Sequence, residues 1–276
     1  MARLFGRFLA MMLALGASGL AASTASADTL QDVMSRGTLR VGLAAETFVP
    51  WTMVDHDGDQ IGFEIDVARR LASDLGVEVQ FVQRPFVQLI PSLLAGESDV
   101  IISGLSITTQ RAKLVAFSRP YAHSEVNFLA RTSGGAQVTT DSVDKEGTTI
   151  GVVGGTVSEF AAAQAFAHAT VRQFQADRNL QDALLNGEIA GLVASSPIPE
   201  LVMAANTDEL TISEEPLLRT AEAFAVRPDS LRLLNLLDSW IYEKEAGGFL
   251  ERLRAYWFDS TDWGDRLTQD ETEVVE

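Results

Sequence analysis

Two short polar clusters carry most of the binding chemistry in this chain. Ser103-Gly104-Leu105-Ser106 follows the apolar run Val100-Ile101-Ile102, and Arg111 lies five residues past Ser106. A guanidinium is a planar fork of donors that can engage a carboxylate through two parallel hydrogen bonds. The second cluster, Gly154-Gly155-Thr156, precedes an alanine-rich helical stretch. The first N–H groups of a helix have no intrahelical partners, so Gly155 and Thr156 suit an anion. The glycines do not form a dinucleotide fingerprint, because Gly151-Val152-Val153-Gly154-Gly155 lacks its spacing. The remaining chemistry is sparse. His56, His123 and His168 lie in different segments with no metal-ligand spacing between them. No serine sits in a G-x-S-x-G elbow, no phosphate loop appears, and no motif calls for a cofactor. With no cysteine, thiolate nucleophiles, thiolate metal sites and disulfides are excluded. The formal charge of −17 repels phosphate backbones and argues against a nucleic-acid partner.

These residues have to be positioned by a scaffold, and strand and helix signals alternate along the chain. Residues 38–43 read as a strand leading into a loop that holds Phe48, Pro50 and Trp51. From Glu64 to Leu75 the apolar residues Ile65, Ala68, Leu71, Ala72 and Leu75 recur at helical spacing, and Gly76 supplies the stop. A strand over 77–82, a helix over 87–95 closed by Gly96, and a buried parallel strand over 99–103 follow. The order then restarts, with strands over 149–153, 171–174 and 189–194 and helices over 157–169 and 180–185. A strand over 221–226 and helices over 229–245 and 248–256 complete the series. This is an α/β pattern, whose ligands sit beyond the C-terminal ends of the strands. Two lobes are expected, the second inserted in the first: 28–125 and 221–258 form lobe 1, and 126–220 form lobe 2. The chain would cross between them near 123–131 and 219–226. The end, 259–276, carries seven acidic residues and one arginine, and reads as a solvated acidic tail.

The N-terminus gives a destination. Arg3 and Arg7 precede an apolar run over 8–22, which closes on Ala25-Ser26-Ala27. Basic start, short apolar segment and Ala-x-Ala end are the parts of a secretory signal peptide, with cleavage expected after Ala27. The run is shorter than the roughly 20 apolar residues that span a bilayer, and no later stretch is long enough. A periplasmic protein is expected.

Several motifs together carry a resemblance. Ile61-Gly62-Phe63-Glu64-Ile65-Asp66-Val67-Ala68, Leu89-Ile90-Pro91-Ser92-Leu93-Leu94-Ala95-Gly96, and the run from Asp99 to Thr108 are the first three. Arg111, Phe117-Ser118-Arg119-Pro120-Tyr121 and Ile150-Gly151-Val152-Val153-Gly154-Gly155-Thr156 extend them. Together with Gly248-Phe249-Leu250 and Tyr256-Trp257-Phe258 they resemble the family 3 bacterial extracellular solute-binding proteins, over about 39–258. The resemblance implies a type II periplasmic binding protein, an α/β fold with a ligand cleft between two lobes and a two-strand hinge. It implies a monomer that takes up a small-molecule ligand, most simply an amino acid, for an inner-membrane ABC permease. Arg111 would pair with the ligand's α-carboxylate, Ser103, Gly104 and Ser106 would bind its carboxylate and amino group, and Phe48 and Trp51 would cover it. Gly155 and Thr156 would grip the same carboxylate from lobe 2.

Two positions depart from the family pattern. Relatives that bind basic amino acids carry an Asp where this chain has Ala44, with Glu46 nearby as a substitute. The lobe 2 Asp that holds the α-ammonium falls at Ser195, a neutral acceptor without the charge-assisted part of the bond. Glu200 and Glu125 are candidate replacements, and a carboxylate ligand without an ammonium is the alternative. Two other functions use the same clamp. One is a cyclohexadienyl dehydratase-like enzyme, for which Glu125 or Glu159 would be the general acid; the other is a ligand receptor for a signalling partner.

Overall fold

The computed structural model describes residues 28–132 and 136–267. The expected signal peptide, 1–27, and the last stretch of the acidic tail, 268–276, lie outside the described residues. Helix α1 (Thr29–Arg36) leads into β1 (Thr38–Ala44), then the short hairpin of β2 (Met53–Val54) and β3 (Gln60–Ile61). Helix α2 (Phe63–Leu75), β4 (Glu78–Arg84), α3 (Leu89–Leu94), β5 (Val100–Ile101) and α4 (Thr109–Ala112) follow. A sixteen-residue strand, β6 (Ala116–Arg131), carries the chain into α5 (Thr140–Val143), β7 (Thr149–Val153), α6 (Val157–Ala165) and β8 (Thr170–Phe174). Helix α7 (Asp177–Leu185), β9 (Gly191–Ser195), α8 (Ile198–Ala205) and β10 (Leu210–Ile212) complete that half. Strand β11 (Leu218–Val226) brings the chain back to α9 (Leu231–Ala246) and α10 (Phe249–Phe258).

The sheet explains how two lobes arise from one chain. Its nine strands run β4-β1-β5-β11-β6-β9-β7-β8, with β10 on β6. At one end β4, β1 and β5 are parallel; at the other β8, β7 and β9 are parallel. Each trio is the core of one lobe. Between them β6 and β11 pair antiparallel over almost the whole length of β11, with the register slipping at Glu222, Ala223 and Ala225. The far end of β6 pairs with β9, so this strand belongs to both halves. Strands β1, β7 and β9 are buried along nearly all their length, as expected for parallel strands covered by helices on both faces.

Local sequence fixes most boundaries. Helix α2 buries Phe63, Val67, Ala68, Leu71 and Ala72 on one stripe, and Gly76 ends it in the left-handed region. Other boundaries differ from the periodic pattern. The strand expected over 99–103 pairs only at Val100–Ile101, because Ser103 Oγ accepts the Ala44 N–H at 2.9 Å and diverts the chain. The helix expected over 87–95 is a 3-10 turn (Phe86–Gln88) followed by α3. Helix α6 stops at Ala165 rather than 169. Asp144 accepts the N–H groups of Ala167, His168 and Ala169 and thereby takes the donors the next turn would use. The largest correction concerns the tail. Trp263 and Leu267 are buried, Trp263 lies against Trp257 at 5.8 Å between ring centres, and His56 donates its N–H to the Arg266 carbonyl. Residues 259–267 are therefore anchored to the fold by two apolar side chains four residues apart, while Asp259, Asp262 and Asp265 stay exposed.

Candidate functional site

The cleft opens where the C-terminal ends of both parallel trios meet the β6–β11 pair. On the lobe 1 side, the start of α2 fixes the aromatic loop: Phe63 and Glu64 donate their N–H groups to the carbonyls of Pro50 and Trp51. A side chain at Gly62 would sit 2.4 Å from the Trp51 carbonyl oxygen, so glycine is required for that approach. Trp51 packs edge-on to Phe63 and Phe258, and Phe48 edge-on to Phe86, and both Phe48 and Trp51 face the cleft. Ser103, Gly104 and Ser106 line it next to them. Gly104 has a φ of +57° and donates its N–H to Glu64 Oε1 at 3.0 Å.

Arg111 forms the junction between the lobes. Its backbone N–H is held by Thr108 Oγ1, the N-cap of α4, so Thr108 is a structural cap. The guanidinium donates through Nη1 to the Ser106 carbonyl at 2.8 Å and through Nη2 to the Gly155 carbonyl at 3.3 Å. It also lies over the Phe86 ring at 5.5 Å. Burial pushes it down to about 10 while Glu222 pulls the other way, so it stays a cation at neutral pH.

Lobe 2 contributes three strand ends. After β7, Thr156, Val157 and Ser158 line the cleft at the first turn of α6, where helix N–H groups lack intrahelical partners. Gly155 does not line it. Its N–H is taken by Glu159 Oε2 at 2.7 Å, and it meets Arg111 through its carbonyl instead. Ser195, at the end of β9, faces the cleft. Eight of the nine residues picked from the sequence thus line one cavity, and Gly155 stands at its rim.

The suggested carboxylates fare differently. Glu46 accepts the Phe86 N–H, Glu125 pairs with Arg219, Glu159 holds Gly155 and Gln173, and Glu200 accepts from Asn127 and Ser196. None of them lines the cleft. Two other acids do. Asp177 opens α7 and is 9% exposed, and Glu222 on β11 is 3% exposed. Glu222 accepts from Thr220 and Ser106 through Oε1, leaving Oε2 without a partner among the described residues. Burial raises both carboxyls, Asp177 to about 7. Beneath them Glu64 is fully buried and raised to about 8 by burial. Its Oε1 takes both the Tyr121 hydroxyl and the Gly104 N–H. Sequence reading passed over these three. The available signals were an acid just after the strand expected over 171–174, and single acids inside apolar runs at 63–65 and 221–226. Among the described residues, no group of three His, Asp or Glu is placed to hold a metal.

The model of the bacterial extracellular solute-binding proteins, family 3, matches residues 39–260. The chain belongs to this family. This solute-binding protein is 32% identical to the L-cystine-binding protein TcyJ of Escherichia coli K12, over 90% of this chain and 92% of TcyJ. It is 27% identical to the ABC transporter arginine-binding protein 1 of the same organism, over 80% and 90% of the two chains. Among solved structures it is similar to AncCDT-1, described as an ancestral amino acid-binding protein and a precursor of cyclohexadienyl dehydratase. That match has a TM-score of 0.77 and 31% identity over 83% of this chain and 99% of the other. These curated relatives are binding proteins, and even the neighbour on the dehydratase lineage is a binder. The protein is accordingly a solute binder and not an enzyme.

Proposed function

We propose that this protein captures one free amino acid in the cleft and presents it to the permease of an ABC importer. One observation carries the reading: a half-buried guanidinium from lobe 1 and the open first turn of α6 from lobe 2 line the same cleft. Both are suited to a single carboxylate, so a ligand held by both would draw the lobes together. Ser103, Gly104, Ser106, Thr156 and Ser195 would bond its polar groups, and Phe48 and Trp51 would cover it. Similarity to an L-cystine-binding protein and to an arginine-binding protein of an ABC transporter supports the ligand class and the importer. In this reading 28–125 with 221–258 make lobe 1 and 126–220 make lobe 2. The chain works as a monomer in the periplasm after loss of residues 1–27. The extracellular character of the family supports that location, and among the described residues no helix is long and apolar enough to cross a membrane.

The test is a thermal-shift and calorimetric screen of residues 28–276 against the coded amino acids and L-cystine. Ligand at 100 times its Kd stabilises the folded state by about 2.7 kcal/mol. One amino acid is expected to give such a shift, and Arg111→Ala to abolish it while the ligand-free melting temperature stays within a few degrees. Undiminished affinity in Arg111→Ala would overturn the site.

A further inference from the structure

The cleft contains a charge that the proposed carboxylate contact does not use. Arg111, Asp177 and Glu222 are the titratable groups lining it among the described residues. A ligand carboxylate answers Arg111, which leaves two buried acids facing the ligand: Glu222, which feels the charges of Arg111 and His123, and Asp177, which has no charged neighbour acting on it. They are not equivalent. Glu222 is tied to Thr220 and Ser106. The Asp177 side chain makes no hydrogen bond and no ion pair with any described residue, although nine-tenths of the residue is buried. An ionised carboxylate left in that state is costly, and a buried, unpartnered acid in a cleft marks a functional site.

Its position says what that partner is. The parallel strands β7, β8 and β9 end along one edge, with Val153 level with Phe174 and Val152 level with Val193. Asp177 follows β8 by three residues and opens α7, which packs on β7 and β9, while Ser195 closes β9 on the same edge. The acid thus follows the strand two places over, beyond β7, from the position where the family carries its ammonium-binding carboxylate and this chain carries a serine. We infer that Asp177 is the counter-ion for the ligand's α-ammonium, a carboxylate moved from the end of β9 to the first residue of α7. The inference rests on the amino-acid reading above. It narrows the ligand to a zwitterion and rules out a carboxylic acid without an ammonium.

The consequence is measurable in protons as well as affinity. Asp177 sits near 7 in the free protein because burial alone raises it. A bound ammonium favours its charged form, so ligand binding at pH 7 releases part of a proton from this side chain. Native protein and Asp177→Asn are titrated calorimetrically with the coded amino acids and L-cystine in two buffers of different ionisation enthalpy. The expected result is a loss of at least tenfold in affinity for the best amino acid, with proton release reduced. The ligand-free melting temperature is unchanged or higher, since a buried charge has been removed. Glu222→Gln in parallel retains the proton release that Asp177 provides. If Asp177→Asn binds within twofold of native and releases as many protons, the assignment fails while the amino-acid reading stands. If the native protein binds none of the amino acids, both fail together.

Discussion

Glu64 has a role that no surface residue could have. It is fully buried, raised to about 8 mainly by burial, and both of its hydrogen bonds go to Oε1. At neutral pH burial holds it as a protonated acid, and its Oε2 has no partner among the described residues. The folded state holds that proton and the unfolded chain, near 4.5, does not, so folding stability falls as pH rises from about 4.5 through about 8. Glu64→Gln keeps an acceptor for Tyr121 and Gly104 but has nothing to ionise. Its melting temperature is expected to match native within a few degrees at pH 5 and to exceed it by several degrees at pH 8.5. About 2–4 °C corresponds to 1 kcal/mol in a chain of this size. A constant difference across that range would mean that Glu64 is not the neutral acid described.

Among the elements, those with a complete local signal were legible in the sequence. Helix α2 has an unbroken apolar stripe and a glycine stop, and β1 and β7 are apolar runs closed by glycine or polar loops. What escaped was set by contacts distant in sequence. Ser103 ends β5 by capturing an N–H of β1, Asp144 ends α6 from across a loop, and Trp263 anchors an acidic stretch to the fold. The site divides the same way. Arg111 and its serines form a local motif, whereas Asp177 and Glu222 share a cleft only because sheet order brings the end of β8 and the middle of β11 to it. The seating of α7 is itself a packing matter. A methyl group at Gly151 on β7 would come within 2.4 Å of Leu180 and 2.6 Å of Ile189, which frame that helix. Gly151→Ala is expected to cost about 1–3 kcal/mol through overpacking. Because it displaces the element that starts with Asp177, it is also expected to weaken ligand binding. Unchanged urea midpoints and unchanged affinity would show that α7 can shift freely.

For the whole molecule the question is how two halves sharing one sheet come together. The links between parallel trios are β6 and β11, a pair whose register is already irregular beside Glu222, which makes it a natural place to bend. Across the cleft the lobes meet where Arg111 reaches the Gly155 carbonyl and Val87 faces Gly155. Val87 is more than half exposed, so its side chain is placed for a neighbour on the other lobe rather than for its own core. A Cβ on Gly155 would lie 2.5 Å from Val87 Cγ1, and the residue has a φ of +75°. Gly155 lies in an exposed turn, so an added methyl disturbs neither core and acts mainly on the approach of the lobes. Gly155→Ala is therefore expected to melt within a few degrees of native, bind its amino acid at least tenfold more weakly, and remain more extended in small-angle scattering at saturating ligand. Truncating the opposing side chain, in Gly155→Ala with Val87→Ala, removes the clash but not the left-handed backbone cost, and should restore part of the affinity and the compaction. Native-like compaction of the single variant would show that the lobes close along a path in which Gly155 and Val87 never meet.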